Sequence, residues 1–200
     1  ILLDMRRLYL VFMNEYSFIK RSHAQSGRFT IITKEKNDKY HRILEAAVKV
    51  FARQGFFQST ISQIAKEAGV ADGTIYLYFK NKDDILVQFF CYKTKQVFER
   101  FREEVDRANN ALDKLRNLIH RHLAEFQNNR DMAIVYQVET HQNSRLAENQ
   151  IREMAKMYFD IIAEIVEQGQ VEGTIRKNLY MGLVKRLIIG SVDEVINTWI

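Results

Sequence analysis

The chain has 200 residues, 46% hydrophobic, 12% aromatic and 28% charged, with 30 Lys/Arg against 25 Asp/Glu and a formal net charge of +5. That is enough chain to bury a core, too polar for a membrane bundle, and too short for a solenoid or a multidomain array. One cysteine, Cys91, excludes an internal disulfide framework and a thiolate metal cluster within one chain, as suits the reducing cytoplasm expected for it.

Eight glycines and no proline are little punctuation for the turns of a sheet protein, so the expected fold is all-α. Residues 1 to 36 do not share the pattern of the remaining chain. The apolar run from Leu8 to Met13 comes after Arg6 and Arg7, but no small-residue cleavage site stands beyond it, and it is far shorter than the roughly 20 residues of a bilayer span. Neither secretion nor membrane anchoring is expected. The chain begins at Ile1, and residues 1 to 36 are expected to be a leader that is disordered or not native.

From Asn37 the helical period sets in. Ile43, Ala47, Val50 and Phe51 recur at steps of three and four, which predicts a helix over about 38 to 54 closed by Gly55. Thr60 and Gln63 match a capping box, so a second helix starts there, buries Ile61, Ile64 and Ala65, and stops at Gly69. A short third helix falls within Asp72 to Phe79. Asn81 caps a long helix with Asp83 and Asp84 in its first turn and the stripe Leu86, Phe90, Val97, Phe101, Val105. Leu112, Leu115, Ile119, Leu123 and Phe126 mark a further helix over about 110 to 128, and a shorter one covers Met132 to Glu139. Residues 145 to 168 form a long amphipathic helix closed by Gly169, and a last helix begins near Leu179 with apolar residues on two faces.

Charge and residue type point to function. Residues 1 to 80 carry thirteen Lys/Arg against seven Asp/Glu, whereas residues 81 to 200 are close to balanced. The excess suggests a polyanionic partner. Residues 60 to 79 have the order of a helix-turn-helix, and the second helix offers Gly73, Thr74, Tyr76 and Tyr78, hydroxyls and an open backbone of the kind phosphate oxygens require. Lys82 stands in the first turn of a helix, where a cation opposes the macrodipole; a phosphate facing that turn would account for it.

Over residues 43 to 86, the spacing of Thr60, Ile64-Ala65, Ala68-Gly69-Val70, Gly73-Thr74-Ile75-Tyr76, Tyr78-Phe79, Lys82 and Leu86 resembles the DNA-binding domain of TetR-family transcriptional repressors. The stretch from Gly69 to Lys82 and, more loosely, Met132 to Gln142 and Tyr158 to Gly173 resemble the Bacillus FadR type of that family, which represses fatty acid degradation genes and releases DNA on binding long-chain acyl-CoA. The resemblance implies a three-helix DNA-binding domain over 37 to 82 and a helical ligand-binding and dimerisation domain over 83 to 200. It implies that Thr60, Thr74, Tyr76, Tyr78 and Lys82 contact phosphates while Ala71, Asp72, Gly73 and Leu77 meet base edges. Asp72 replaces the basic or hydroxyl residue frequent there; it either accepts from cytosine N4 or caps the helix, and capping is favoured.

The family further implies a homodimer on a palindromic double-stranded operator, with recognition helices about 34 Å apart. The family interface takes two helices per subunit. The helix over 179 to 200 supplies one, so either the chain is truncated after Ile200 or it dimerises differently. Phe98, Phe101, Phe126, Tyr136 and Tyr158 are the expected lining of an apolar tunnel, with Arg116, Arg121 and Arg145 as candidates to hold a CoA head group. No cofactor, metal or membrane is expected. No phosphate-binding glycine loop, G-x-S-x-G elbow or H-E-x-x-H pair occurs, and His120 and His122 face different sides of one helix, so an enzyme is not expected. The alternatives are a multidrug-efflux repressor that senses hydrophobic or cationic drugs and, outside that class, a helical module that binds protein and not DNA.

Overall fold

The structure, a computed structural model, describes residues 27–141 and 147–200. Among the described residues there are eight helices and no strand. The chain divides into Ile1–Arg42 and Ile43–Ile200. Helix α1, Gly27–Gln54, starts eleven residues before the expected position. No glycine or proline interrupts the chain between Arg28 and Gln54, and extending an existing helix costs far less than nucleating one. Residues 27 to 36 of the expected leader are therefore helical, and the rest of that leader, like Arg145, lies outside the described residues.

In the second unit, α1 buries Ile43, Leu44, Ala47, Val50 and Phe51. Gly55 comes after it with φ 82, and its N–H donates to the Phe51 carbonyl at 2.8 Å. Helix α2, Ile61–Ala68, opens with the expected capping box. The Thr60 hydroxyl accepts from the Gln63 N–H at 3.3 Å, and the Gln63 side-chain oxygen accepts from the Thr60 N–H at 2.8 Å. Gly69 ends α2 in the left-handed region at φ 64, and the Val70 N–H closes the turn on the Ala65 carbonyl. Helix α3 is only Asp72–Ile75, and tight turns continue it: Leu77, Tyr78 and Phe79 donate to the carbonyls of Thr74, Ile75 and Ile75. Ile64, Ala65, Ala68, Ile75 and Phe79 lock α2 and α3 into the domain core.

Helix α4, Lys82–Asp106, begins at Asn81, whose side chain accepts from the Asp84 N–H, and buries Ile85 and Leu86 at one end and Phe98, Phe101 and Val105 at the other. Helices α5 (Ala111–Gln127), α6 (Arg130–His141), α7 (Glu148–Glu172) and α8 (Met181–Asn197) complete the unit. The central helix is α5, packed on α4, α6, α7 and α8. The stripe expected from the sequence is met in part: Phe126 is buried and Leu115 packs on the core, but Leu112 is half exposed and the other buried residues are Ala111, Leu118, His122 and Glu125. Polar groups take inner positions there, which a hydrophobicity pattern cannot register.

Gly169 does not close α7. The helix runs on to Glu172, and Gly173, at φ 76, is the left-handed cap. Gly169 serves close approach instead: a Cβ there would come within 2.6 Å of two side-chain carbons of Ile175 and 3.0 Å from the Cβ of Ala111.

Candidate DNA interface and effector cavity

The expected DNA-contacting residues fall on one short stretch and divide by exposure. Ala71, Asp72, Gly73, Tyr76 and Leu77 are exposed, Tyr76 at 59% and Leu77 at 76%, while Thr74 and Tyr78 are half buried. Leu77, in water on a turn, is accessible to a partner. Thr60 is exposed at the head of α2, its hydroxyl engaged in the cap.

Two of these residues have tasks that their spacing does not reveal. Asp72 is not the helix cap: Ala71 holds that position without a side-chain bond, and the Asp72 carboxylate accepts from the Ser62 hydroxyl, tying α3 to α2. The capping expectation is thereby corrected; Asp72 stands inside the first turn, where its charge suits the helix dipole. Lys82 Nζ donates to the carbonyls of Phe56 at 2.7 Å, Phe57 at 3.2 Å and Ser59 at 2.8 Å, and lies 4.5 Å from the centre of the Phe56 ring. An ammonium has three protons, and these three carbonyls use them all. The cation in the first turn of α4 is accounted for by the loop it holds, with no phosphate required.

The helical domain contains an apolar cavity of about 40 Å³. Phe98, Phe101, Phe126, Tyr136 and Tyr158, singled out from the sequence, all line it, together with Val97, Met132, Met154 and Ile189. Five helices, α4 to α8, therefore converge on it. Two lining residues are ones that hydrophobic spacing does not flag. His122 lies between Phe126, at a tilted angle, and Tyr158, edge to face, with ring centroids 5.3 and 5.0 Å away. Burial pushes its imidazole down to about 4, so it is neutral at physiological pH. Lys93 is the one charged residue of the lining among the described residues, and its Nζ pairs with Glu45 of α1 at 2.5 Å. The cavity wall thus connects directly to a core helix of the helix-turn-helix unit.

Beside the cavity, Glu125 is almost fully buried and receives a bidentate pair from Arg100, both bonds 2.6 Å, and a third from Arg121 at 2.5 Å. Burial pushes the Glu125 carboxyl up, but the Arg100 hydrogen bonds and the charges of both arginines outweigh it and hold it below the usual carboxylate range. Of the arginines considered for a CoA head group, Arg121 is bound here and Arg116 pairs with Asp113 at an exposed position. No described helix is long and apolar enough to cross a membrane.

The family model described as bacterial regulatory proteins, tetR family, matches residues 43–89, and that described as YsiA-like protein, C-terminal region, matches residues 90–200. The two meet inside α4, seven residues beyond the domain boundary expected from the sequence. The chain is 41% identical over 167 residues to the fatty acid metabolism regulator protein of Bacillus subtilis, covering 84% of this chain and 86% of that protein. The crystal structure of the transcriptional regulator FadR from Bacillus subtilis in complex with stearoyl-CoA matches with a TM-score of 0.74 at 41% identity, over 80% of this chain and 86% of that one. The fatty acid degradation regulator FadR from Bacillus halodurans matches with a TM-score of 0.76 at 37% identity, over 80% and 83%. These matches run over most of the chain and of its relatives, and the chain belongs to the TetR family of bacterial transcriptional regulators, a regulator and not an enzyme.

Proposed function

We propose that the protein is a cytoplasmic homodimeric repressor of fatty acid degradation genes, bound to a palindromic operator and released from it by a long-chain fatty acyl-CoA. One observation carries the effector assignment: the residues that line the cavity belong to the part of the chain that matches a relative in complex with stearoyl-CoA. The charge of the wall supports it. Among the described lining residues no carboxylate stands ready to pair with a cationic drug, and the ammonium of Lys93 is already neutralised by Glu45, so the wall suits an apolar chain.

On the DNA side, the hydroxyls of Thr60, Thr74, Tyr76 and Tyr78 and the open backbone at Gly73 would contact phosphates, with Ala71, Asp72 and Leu77 facing base edges. Lys82 holds the loop that presents Thr60. For the dimer, α8 leaves Leu183 and Leu187 more than half exposed, with Tyr180, Val195 and Trp199 also in water. That apolar row is larger than a monomer needs and suits a two-fold contact.

The cavity, at about 40 Å³, is far below the ~300–1,000 Å³ of sites that enclose ligands of drug size, so an acyl chain must push the helices apart to enter. Displacing α4 strains the Lys93–Glu45 pair and shifts the helix-turn-helix units relative to the operator. A tenfold loss of DNA affinity needs only about 1.4 kcal/mol of differential binding. The test is a gel shift on DNA upstream of neighbouring genes, titrated with palmitoyl-CoA, palmitate, free CoA and a cationic dye. Release by palmitoyl-CoA alone is expected; release by the dye and not by palmitoyl-CoA refutes the effector assignment.

A further inference from the structure

His122 and Tyr158 stand out in a cavity otherwise walled mostly by phenylalanine, methionine and aliphatic side chains. They are 5% and 2% exposed, they face each other at 5.0 Å between ring centres, and Phe101 packs against both. Neither the His122 Nδ1 nor the Tyr158 hydroxyl has a hydrogen-bond partner among the described residues. A buried polar atom without a partner destabilises the fold, and phenylalanine at either place would keep the ring packing without that cost. Two such atoms on neighbouring residues that both line one cavity match a ligand that brings the missing partner.

The chemistry of that partner comes from the neighbours. His122 is uncharged at neutral pH and so carries one N–H and one acceptor nitrogen. Burial, and then the charge of Asp193 on α8, push the Tyr158 phenol up, so it keeps its proton and acts as a donor. The negative Asp193 would repel a ligand carboxylate. We propose that His122 and Tyr158 form a polar contact point inside the cavity that recognises an uncharged oxygen on the acyl ligand, the thioester carbonyl or a hydroxyl on the chain, and discriminates against a bare hydrocarbon or a free carboxylate at that depth. The assignment rests on the acyl-CoA reading above.

The test compares palmitoyl-CoA, its thioether analogue S-hexadecyl-CoA, which lacks the carbonyl oxygen, and 3-hydroxypalmitoyl-CoA, by calorimetry on the full chain and on Tyr158→Phe and His122→Phe. Thermal melts accompany each titration. Both variants are expected to melt at or above the temperature of the unaltered chain, since each removes an unpaired buried polar atom, so weaker binding would not come from misfolding. With a thioester contact, palmitoyl-CoA binds about tenfold better than the thioether, about 1.4 kcal/mol, and Tyr158→Phe abolishes that preference. With a contact to the chain, the hydroxylated ligand gains the preference and loses it in the same variant. Equal affinities for all three ligands, or preferences that survive both substitutions, overturn the contact point while leaving the acyl-CoA reading intact. Failure of every CoA derivative to bind the unaltered chain overturns both.

Discussion

Replacing Lys82 by alanine separates two roles for one cation. The ammonium donates to three carbonyls at the end of the α1–α2 loop, two of them part-buried at 2.7 and 2.8 Å and the third exposed. A hydrogen bond to a charged group contributes about 1.5–3 kcal/mol, and the exposed bond regains water when released. The two part-buried bonds share one donor group and are not additive, so Lys82→Ala should cost about 3 kcal/mol of unfolding free energy in a urea titration. DNA binding should weaken because Thr60 and the start of α2 lose their support. The slope of log affinity against log salt should hold, since no phosphate contact is lost. A phosphate-bound Lys82 predicts the reverse: little change in stability, and a slope smaller by about 0.9 for each half-site. That second pattern would refute the loop-holding role of Lys82.

The imidazole of His122 lies near 4 in the folded chain against an ordinary 6.5, so the unfolded chain takes up a proton that the folded chain refuses between those values. Stability is therefore complete above pH 6.5 and falls toward pH 4; relative to His122→Phe, the loss between pH 7.5 and 5 should be about 2 kcal/mol in urea titrations. The charges beside it, Glu125 with Arg100 and Arg121, are common to both proteins, and identical pH dependence of the two would count against a buried neutral histidine. Gly69→Ala should cost about 1 kcal/mol, purely conformational, because φ is 64 and no atom lies within 4 Å of the added methyl; a Tm equal to that of the parent chain would contradict this. Leu187→Glu should convert the proposed dimer to a monomer in light scattering at unchanged helicity, given that Leu187 is 59% exposed; an unaltered mass would move the interface elsewhere.

Helix positions are legible wherever the chain carries local signals. Thr60 with Gln63, Gly69, and Asn81 with Asp84 each satisfy backbone groups within three or four residues, so spacing alone locates the ends of α2 and the start of α4. Signals that depend on distant chain are not legible. Gly169 looks like a stop until Ile175 folds back on it, Asp72 looks like a cap until Ser62 is brought alongside, and the spacing around Lys82 does not disclose the three carbonyls, 23 to 26 residues earlier, that its ammonium holds. The aromatic lining of the cavity is readable because large apolar residues at helical spacing must face inward. His122 escapes for the same reason in reverse: a polar residue at an inner position carries no periodic signature, and only its neighbours reveal it.

The 25 residues of α4 run without a break from the loop that Lys82 grips to the far side of the cavity. At 1.5 Å per residue, Phe98 lies about 24 Å from Lys82 along the axis. If the proposed ligand tilts this helix, it would act as a lever: a tilt of about 5° imposed at the cavity would carry its far tip through about 2 Å, comparable to the difference between a hydrogen bond made and one broken. Since the tip is clamped to the loop ahead of α2, that travel would reach the DNA-reading turn, and under the proposed function a chain of methylenes wedged among phenylalanines would be amplified into loss of register on a nucleic acid.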